Sequence, residues 1–192
     1  MMNVKCCACG CGTSIESHPA INVREHPELK DMLLSGELFV WECPQCGRRN
    51  LVSYPVSYVD PDAGLVICVS REEIPLSADS LGGFTCRRVV DAGSLIEKVK
   101  IFDAGLDDIA VEMVKHVTLL ESGKDLALKF LRLEGAEGEL VFAYPENGEM
   151  MMLAVGINVY EDCRNIIARN PDAFSRKGFA TVDRDWIESL MR

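Results

Sequence analysis

The sequence predicts an α+β fold, in which an N-terminal ribbon precedes a domain of helices and an antiparallel sheet. Two observations support this prediction. Two Cys-x-x-Cys pairs lie near the start of the chain, at Cys6/Cys9 and Cys43/Cys46. The remainder alternates helix-spaced apolar residues with strand-like apolar runs that end at turn residues. A chain of 192 residues has room for a small module and one modest domain.

The cysteine spacing is typical of a tetrahedral metal site. Two residues between the cysteines let the backbone fold back, so that both sulfurs point at one ion. Gly10 and Gly47 follow the pairs, and glycine tolerates such a tight turn. Four thiolates leave no open coordination position, which indicates a structural zinc ion in a zinc ribbon. Four unmetallated thiols or two disulfides are the alternatives. The predicted metal ligands are Cys6, Cys9, Cys43 and Cys46.

Cysteine usage also indicates the compartment. The nine cysteines are odd in number and are paired at metal-ligand spacing, which favours a reducing environment over a secreted disulfide framework. The first residues lack the apolar core of a signal peptide. No apolar run approaches the ~18 residues of a membrane helix. We therefore expect a cytoplasmic protein without a membrane segment.

The first domain is predicted to span residues 1–70. A short strand at Val4 leads into the first cysteine pair. A helix is expected to begin at Pro27, where proline suits the first helical position, and to end at Gly36. Further strands are predicted at 37–41, 48–54 and 65–69, the last after a turn at 60–64.

A linker is predicted at 71–83, followed by an α+β domain at 84–192. Its first helix shows a capping-box pattern, Ser94-x-x-Glu97. Asn147-Gly148 predicts a hairpin turn, because both residues tolerate positive φ. Strands are predicted at 84–90, 126–133, 140–144 and 150–157, and helices at 106–117, 160–169 and from Asp183 onward.

Three other residue groups have two interpretations each. Asp103, Asp107 and Asp108 have the chemistry of Mg²⁺ ligands or paired carboxylates, and helix capping is the interpretation we favour. The run Met150-Met151-Met152 suits an adaptable binding surface, but we predict packed core. The aromatic residues beside the second cysteine pair are suited to base stacking, but we predict that they pack. They are Trp41, Tyr54 and Tyr58.

The chain resembles the CpXC domain family over roughly residues 4–70, and less closely over 97–108. The resemblance implies a four-cysteine metal site and no established activity. Cys7 departs from the pattern, since the family usually has proline there. The resemblance rests on four segments: Cys6-Cys7-Ala8-Cys9-Gly10, Ile21-Asn22-Val23 with Pro27-Glu28-Leu29-Lys30, Leu34-Ser35-Gly36-Glu37-Leu38, and Cys43-Pro44-Gln45-Cys46-Gly47.

The charge distribution guides the functional prediction. The formal net charge is −10, which disfavours nucleic acid as partner and favours protein. We predict a binding or interaction module with structural zinc and an unassigned cellular role and oligomeric state. One alternative is a nucleic-acid-binding ribbon that uses Arg48 and Arg49. Another is an iron site for electron transfer, because rubredoxin has similar knuckles. No nucleophile–base pair indicates an enzyme.

Overall fold

The computed structural model describes residues 1–74 and 82–191, so most of the predicted linker lies outside the described residues. The chain divides into two compact units, Met1–Ile96 and Glu97–Arg192. Both contain helices and sheets, and the α+β prediction is confirmed.

The first unit contains eight described strands and two helices, the second of which continues into the next unit. In chain order these are β1 (Met2–Lys5), β2 (Gly12–Ile15), β3 (Ala20–Asn22), α1 (Pro27–Ser35), a 3₁₀ turn (Glu37–Phe39), β4 (Val40–Glu42), β5 (Arg49–Leu51), β6 (Ser57–Asp60), β7 (Leu65–Val69), β8 (Thr85–Val89) and α2 (Ala92–Asp103).

Two antiparallel hairpins, β1–β2 and β4–β5, form the cysteine-bearing part of this unit. A mixed four-stranded sheet in the order β3-β6-β7-β8 forms the rest. Its strands bury Ile21, Tyr58 and Ile67 almost completely, as expected for β-branched and aromatic residues on a covered sheet. Helix α1 begins at Pro27 and ends at Gly36, whose φ of 80° is left-handed, as predicted.

Two predicted strands of the first half differ in detail. The segment predicted as a strand at 37–41 starts with the 3₁₀ turn, and only Val40–Glu42 is extended. Strand β8, expected in the second domain, pairs in parallel with β7. Such a long-range pairing leaves no local sequence signal. Independent folding of segments 1–70 and 84–192 stays a prediction.

The second unit has one antiparallel sheet in the order β11-β10-β9. Its core lies between this sheet and helices, with Met113, Phe130, Leu140, Phe142 and Ile187 at most 1% exposed. The elements after α2 are α3 (Asp108–Ser122), β9 (Lys129–Glu134), β10 (Glu139–Glu146), β11 (Glu149–Val155), α4 (Ile157–Arg169), α5 (Pro171–Phe174) and α6 (Arg184–Leu190).

Local signals in this unit are mostly confirmed. Asn147 and Gly148 have φ values of 53° and 82° at the β10–β11 turn. Asp107 caps α3, since its carboxylate accepts from the backbone N–H groups of Ile109 and Ala110. Asp183 caps α6 in the same way.

The prediction of a capping box at Ser94 and Glu97, at the start of α2, is wrong. Asp91 accepts from the Ser94 backbone N–H at 2.7 Å, so the helix begins earlier than predicted. Ser94 lies inside the helix, and Glu97 is buried in ion pairs. Asp108 is the first residue of α3, where it is 1% exposed and pairs with Lys98 at 2.9 Å.

Among the described residues, no helix combines the length and the apolar character needed to cross a bilayer.

Candidate metal centre and adjoining cavity

Each cysteine pair lies in the loop of one hairpin, and the two loops have the same hydrogen bonds. The backbone N–H of Cys6 donates to the carbonyl of Cys11, and that of Cys43 donates to Arg48, both at 2.9 Å. Gly10 and Gly47 donate back to the carbonyls of Cys6 and Cys43 at 3.0 and 2.8 Å. The two loops therefore form matching knuckles, residues 6–11 and 43–48.

Glycine is needed at both turns. Gly10 has a φ of 74° and Gly47 a φ of 68°, and residues with a Cβ rarely adopt these left-handed values. In each loop this turn brings the two cysteine sulfurs to the same side.

The knuckles bring four sulfurs together. The Sγ atoms of Cys6, Cys9, Cys43 and Cys46 all lie within 4.8 Å of one another. The Cys6–Cys46 and Cys9–Cys43 sulfur distances are 3.7 and 3.6 Å. A zinc ion with Zn–S bonds of about 2.3 Å requires a tetrahedral edge of about 3.8 Å. The four cysteines are thus positioned to bind a metal ion, and the chemistry of the donor set fits zinc or iron.

Backbone N–H groups in the knuckles stabilise thiolate on two of these sulfurs. The N–H groups of Cys9 and Ala8 donate to the Cys6 sulfur and lower its pKa to about 6. Burial raises the pKa of Cys43, but N–H groups of Cys46 and Gln45 outweigh it and lower that pKa. The backbone N–H groups therefore favour the thiolate forms of Cys6 and Cys43, which are the forms that bind a metal cation.

The pKa values of the other two cysteines, Cys9 and Cys46, are raised. The backbone N–H of Cys11 lowers the pKa of Cys9, but burial and the neighbouring sulfurs outweigh it and raise that pKa to about 12. The pKa of Cys46 is also raised, although the N–H of Arg48 opposes the change. Four thiolates at this spacing repel one another, and a bound cation removes that repulsion.

The two knuckles are linked by Asn50, a residue that the sequence did not single out. Its side-chain oxygen accepts from the Cys7 backbone N–H at 3.1 Å, and its amide donates to the Arg48 carbonyl at 2.7 Å. Asn50 is buried in β5. An asparagine in the middle of a strand is unusual, and this is the sequence feature that could have indicated a special role for Asn50.

A small apolar cluster supports the centre from one side. Cys6 and Cys43 are 3% and 1% exposed and pack with Trp41, whereas Cys9 and Cys46 are exposed. Val52 packs against this cluster. The packing predicted for Trp41 is confirmed, as it is for Tyr54 and Tyr58, which are also buried.

The remaining cysteines lie outside the four-sulfur group. Cys7 is exposed, and Cys11 is half-buried beside the Gly12 carbonyl. Burial raises the pKa of the other three, which is the behaviour of small apolar residues. These three are Cys68, Cys86 and Cys163.

A cavity of about 500 Å³ adjoins the second hairpin within the first unit. Val40, Leu51 and Val52 line one wall, while Phe39 and Ile96 line others. Leu51 is 85% exposed at the rim. The volume falls within the range of ligand-binding clefts, and the lining is largely apolar.

The arginines of the second knuckle are also accessible. Arg48 and Arg49 are exposed, whereas Arg87, in the other Arg-Arg pair of the chain, is buried. Lys5, which directly precedes the first knuckle, is also exposed.

Comparisons with known proteins identify one family. A family model described as CpXC protein matches residues 4–115, which include both knuckles, the mixed sheet and about half of α3. Searches of curated proteins and of solved structures found no match.

Proposed function

The chain belongs to the CpXC family, and from this premise we propose that it is a zinc-stabilised module that binds another protein. The observation that carries the proposal is the position of Val52. Its side chain packs against the cluster around Cys6 and Cys43 and also lines the apolar cavity. A metal ion that fixes the two knuckles would therefore also fix a wall of the cavity.

Zinc is the proposed ion, and its role is structural. Four thiolates close the coordination shell, so no position is left for a catalytic water. The proposed ligands are Cys6, Cys9, Cys43 and Cys46, whose sulfurs surround one point. A reducing, cytoplasmic setting is part of the proposal, because oxidised cysteines cannot ligate zinc.

Elemental analysis of the purified chain tests the ion. We expect one zinc per chain in the wild type and loss of stoichiometric zinc in Cys43→Ser. Cys7→Ser is the matched control, because Cys7 lies beside the site but outside the sulfur group, and it should retain the ion. If the purified protein is red and contains iron, the result favours the electron-transfer alternative over a structural zinc ion. One full zinc in Cys43→Ser would contradict the ligand set.

The cavity supports a protein partner with an apolar side chain at its contact. Leu51 projects at the rim, and Phe39, Val40 and Val52 form the apolar lining. Exposed apolar residues beside such a cleft are typical of interaction sites. The net charge of −10 and the burial of Trp41, Tyr54 and Tyr58 support nucleic acid less well.

Affinity capture from the source cells tests the partner. The wild type should retain a defined protein that Leu51→Asp loses. Leu120→Asp is the control, since Leu120 is an exposed leucine of α3 in the other unit, and it should retain the same protein. Retention that does not depend on Leu51 would contradict the cavity as the contact. A salt-sensitive mobility shift of labelled DNA or RNA would favour the nucleic-acid alternative.

A further inference from the structure

Strand β11 lies at one edge of the second unit's sheet and is apolar on both faces from Met150 to Val155. Met150, Met151 and Met152 are 69%, 39% and 64% exposed. The prediction that these methionines pack in the core is therefore wrong. The physical reason is that β11 pairs with a neighbour on one side only, within the part of the chain that the structure describes.

The backbone of such a strand is incompletely paired. In an antiparallel sheet every second residue of an edge strand directs its N–H and C=O away from its neighbour. Proteins usually protect these edges with charged residues, proline or a bulge. Residues 150–155 contain no charged residue and no proline. The opposite edge, β9, carries Lys129, Arg132 and Glu134.

We infer that β11 pairs antiparallel with β11 of a second copy of this chain, around a two-fold axis through Met152. Met152 is the middle residue of the seven-residue strand, so this register pairs the whole strand. Met152 lies opposite its own copy, Met151 opposite Leu153, and Met150 opposite Ala154. The two three-stranded sheets become one six-stranded sheet.

In this register, apolar side chains on both faces of the strand are covered. Met150, Met152 and Ala154 lie on one face, next to Pro145, Ala143 and Val141 of β10. Met151 and Leu153 lie on the other face, where Leu153 packs against the buried core. Pairing with a second β11 therefore covers methionine and aliphatic surface on both sides.

The charge pattern of β11 is compatible with pairing to a second copy, and the charge pattern of β9 limits the assembly to two. Glu149 is the only charged residue of β11, and the antiparallel register places it opposite Val155. The two Glu149 residues are then about 20 Å apart along the strand, at about 3.4 Å per residue. Both ends of the joined sheet are β9 strands, whose charged residues oppose further addition. The inference is independent of the zinc site.

Sedimentation analysis of the zinc-loaded full chain in reducing buffer tests the inference. We expect a monomer–dimer equilibrium that depends on concentration. Met152→Lys should raise the dimer Kd by about tenfold or more, because two ammonium groups then face each other. Met150→Lys is the control: it adds the same charge to the same face, but its copies lie about 14 Å apart along the strand. It should weaken the dimer much less.

A mixture of Met152→Lys and Met152→Glu gives the decisive result. Position 152 faces itself only in the proposed register, so the two variants should form a heterodimer that is tighter than the homodimer of either variant alone. Circular dichroism of each variant checks that the fold is retained. A wild type that stays monomeric, a ladder of larger oligomers, equal effects at 150 and 152, or no heterodimer would each overturn the inference.

Discussion

The backbone N–H of Cys7 donates to the side-chain oxygen of Asn50 at 3.1 Å, across 43 residues of chain. The amide of Asn50 donates to the Arg48 carbonyl at 2.7 Å. One buried side chain therefore contacts both knuckles. Because this link does not involve the sulfurs, it can hold the two loops in register before an ion binds.

Replacing Asn50 by alanine should lower zinc affinity by about 10- to 100-fold, the usual effect of removing a supporting residue around a metal. The two knuckles lose their shared partner, so part of the zinc-binding free energy is spent on ordering them. Competition with a chromogenic chelator measures the change. Asn3→Ala, at an exposed position of β1, should bind zinc as the wild type does. Equal affinity of Asn50→Ala and wild type would refute the role.

Gly47→Ala tests the knuckle turn. The φ of Gly47 is 68°, and no atom crowds the position, since the nearest neighbour of an added Cβ lies at 3.8 Å. The effect is therefore conformational, and we expect a cost of about 1 kcal/mol, or about fivefold in zinc affinity. Gly12→Ala is the control, because Gly12 lies in β2 without a positive φ. The same competition assay should show no loss for it.

Local signals explain what the sequence could predict. The two cysteine pairs, the Asn147-Gly148 turn and the Asp183 cap each depend on a few adjacent residues. Interactions among residues this close in sequence constrain the backbone directly, through ligand spacing, positive φ or helix capping. The sulfur cluster follows because only two such pairs occur in the chain.

Long-range contacts explain the rest. The pairing of β8 with β7 and the link through Asn50 join residues that are distant in sequence. The three methionines of β11 have the composition of a buried strand, and only the strand order places them at an edge. Glu97 matches a capping position locally, but tertiary contacts assign it to an ion-pair network.

The ion-pair network lies between α2, α3 and β9 and is centred on Glu97. One carboxylate oxygen accepts from Lys115 at 2.9 Å and from the Phe130 backbone N–H at 2.8 Å. The other oxygen lies 3.0 Å from the Lys129 ammonium. Lys115 also pairs with Glu112 at 2.9 Å. Glu97 is 4% exposed, so each of these partners offsets a large desolvation cost.

Glu97→Gln should destabilise the fold by about 3 kcal/mol, because it leaves Lys115 with less compensation in a buried position. Urea unfolding at neutral pH measures the difference in free energy of unfolding. Glu134→Gln breaks an exposed pair with Arg132, and it should cost less than about 1 kcal/mol. Equal effects of the two substitutions would mean that the buried network adds nothing beyond a surface pair.

The same carboxylate should make stability depend on acid pH. Burial raises the pKa of Glu97, but the ammonium groups of Lys115 and Lys129 outweigh it and hold that pKa below its ordinary value. A lowered carboxyl pKa contributes stability above the unfolded pKa of about 4.3, and this contribution is lost as pH falls through the folded pKa. The difference in unfolding free energy between wild type and Glu97→Gln should therefore be constant from pH 7 to about pH 5 and shrink below about pH 4. Urea unfolding of both proteins without zinc, at each pH, removes the effect of metal loss. A difference that stays constant down to the lowest pH at which both proteins fold would show that the carboxylate charge does not stabilise the fold.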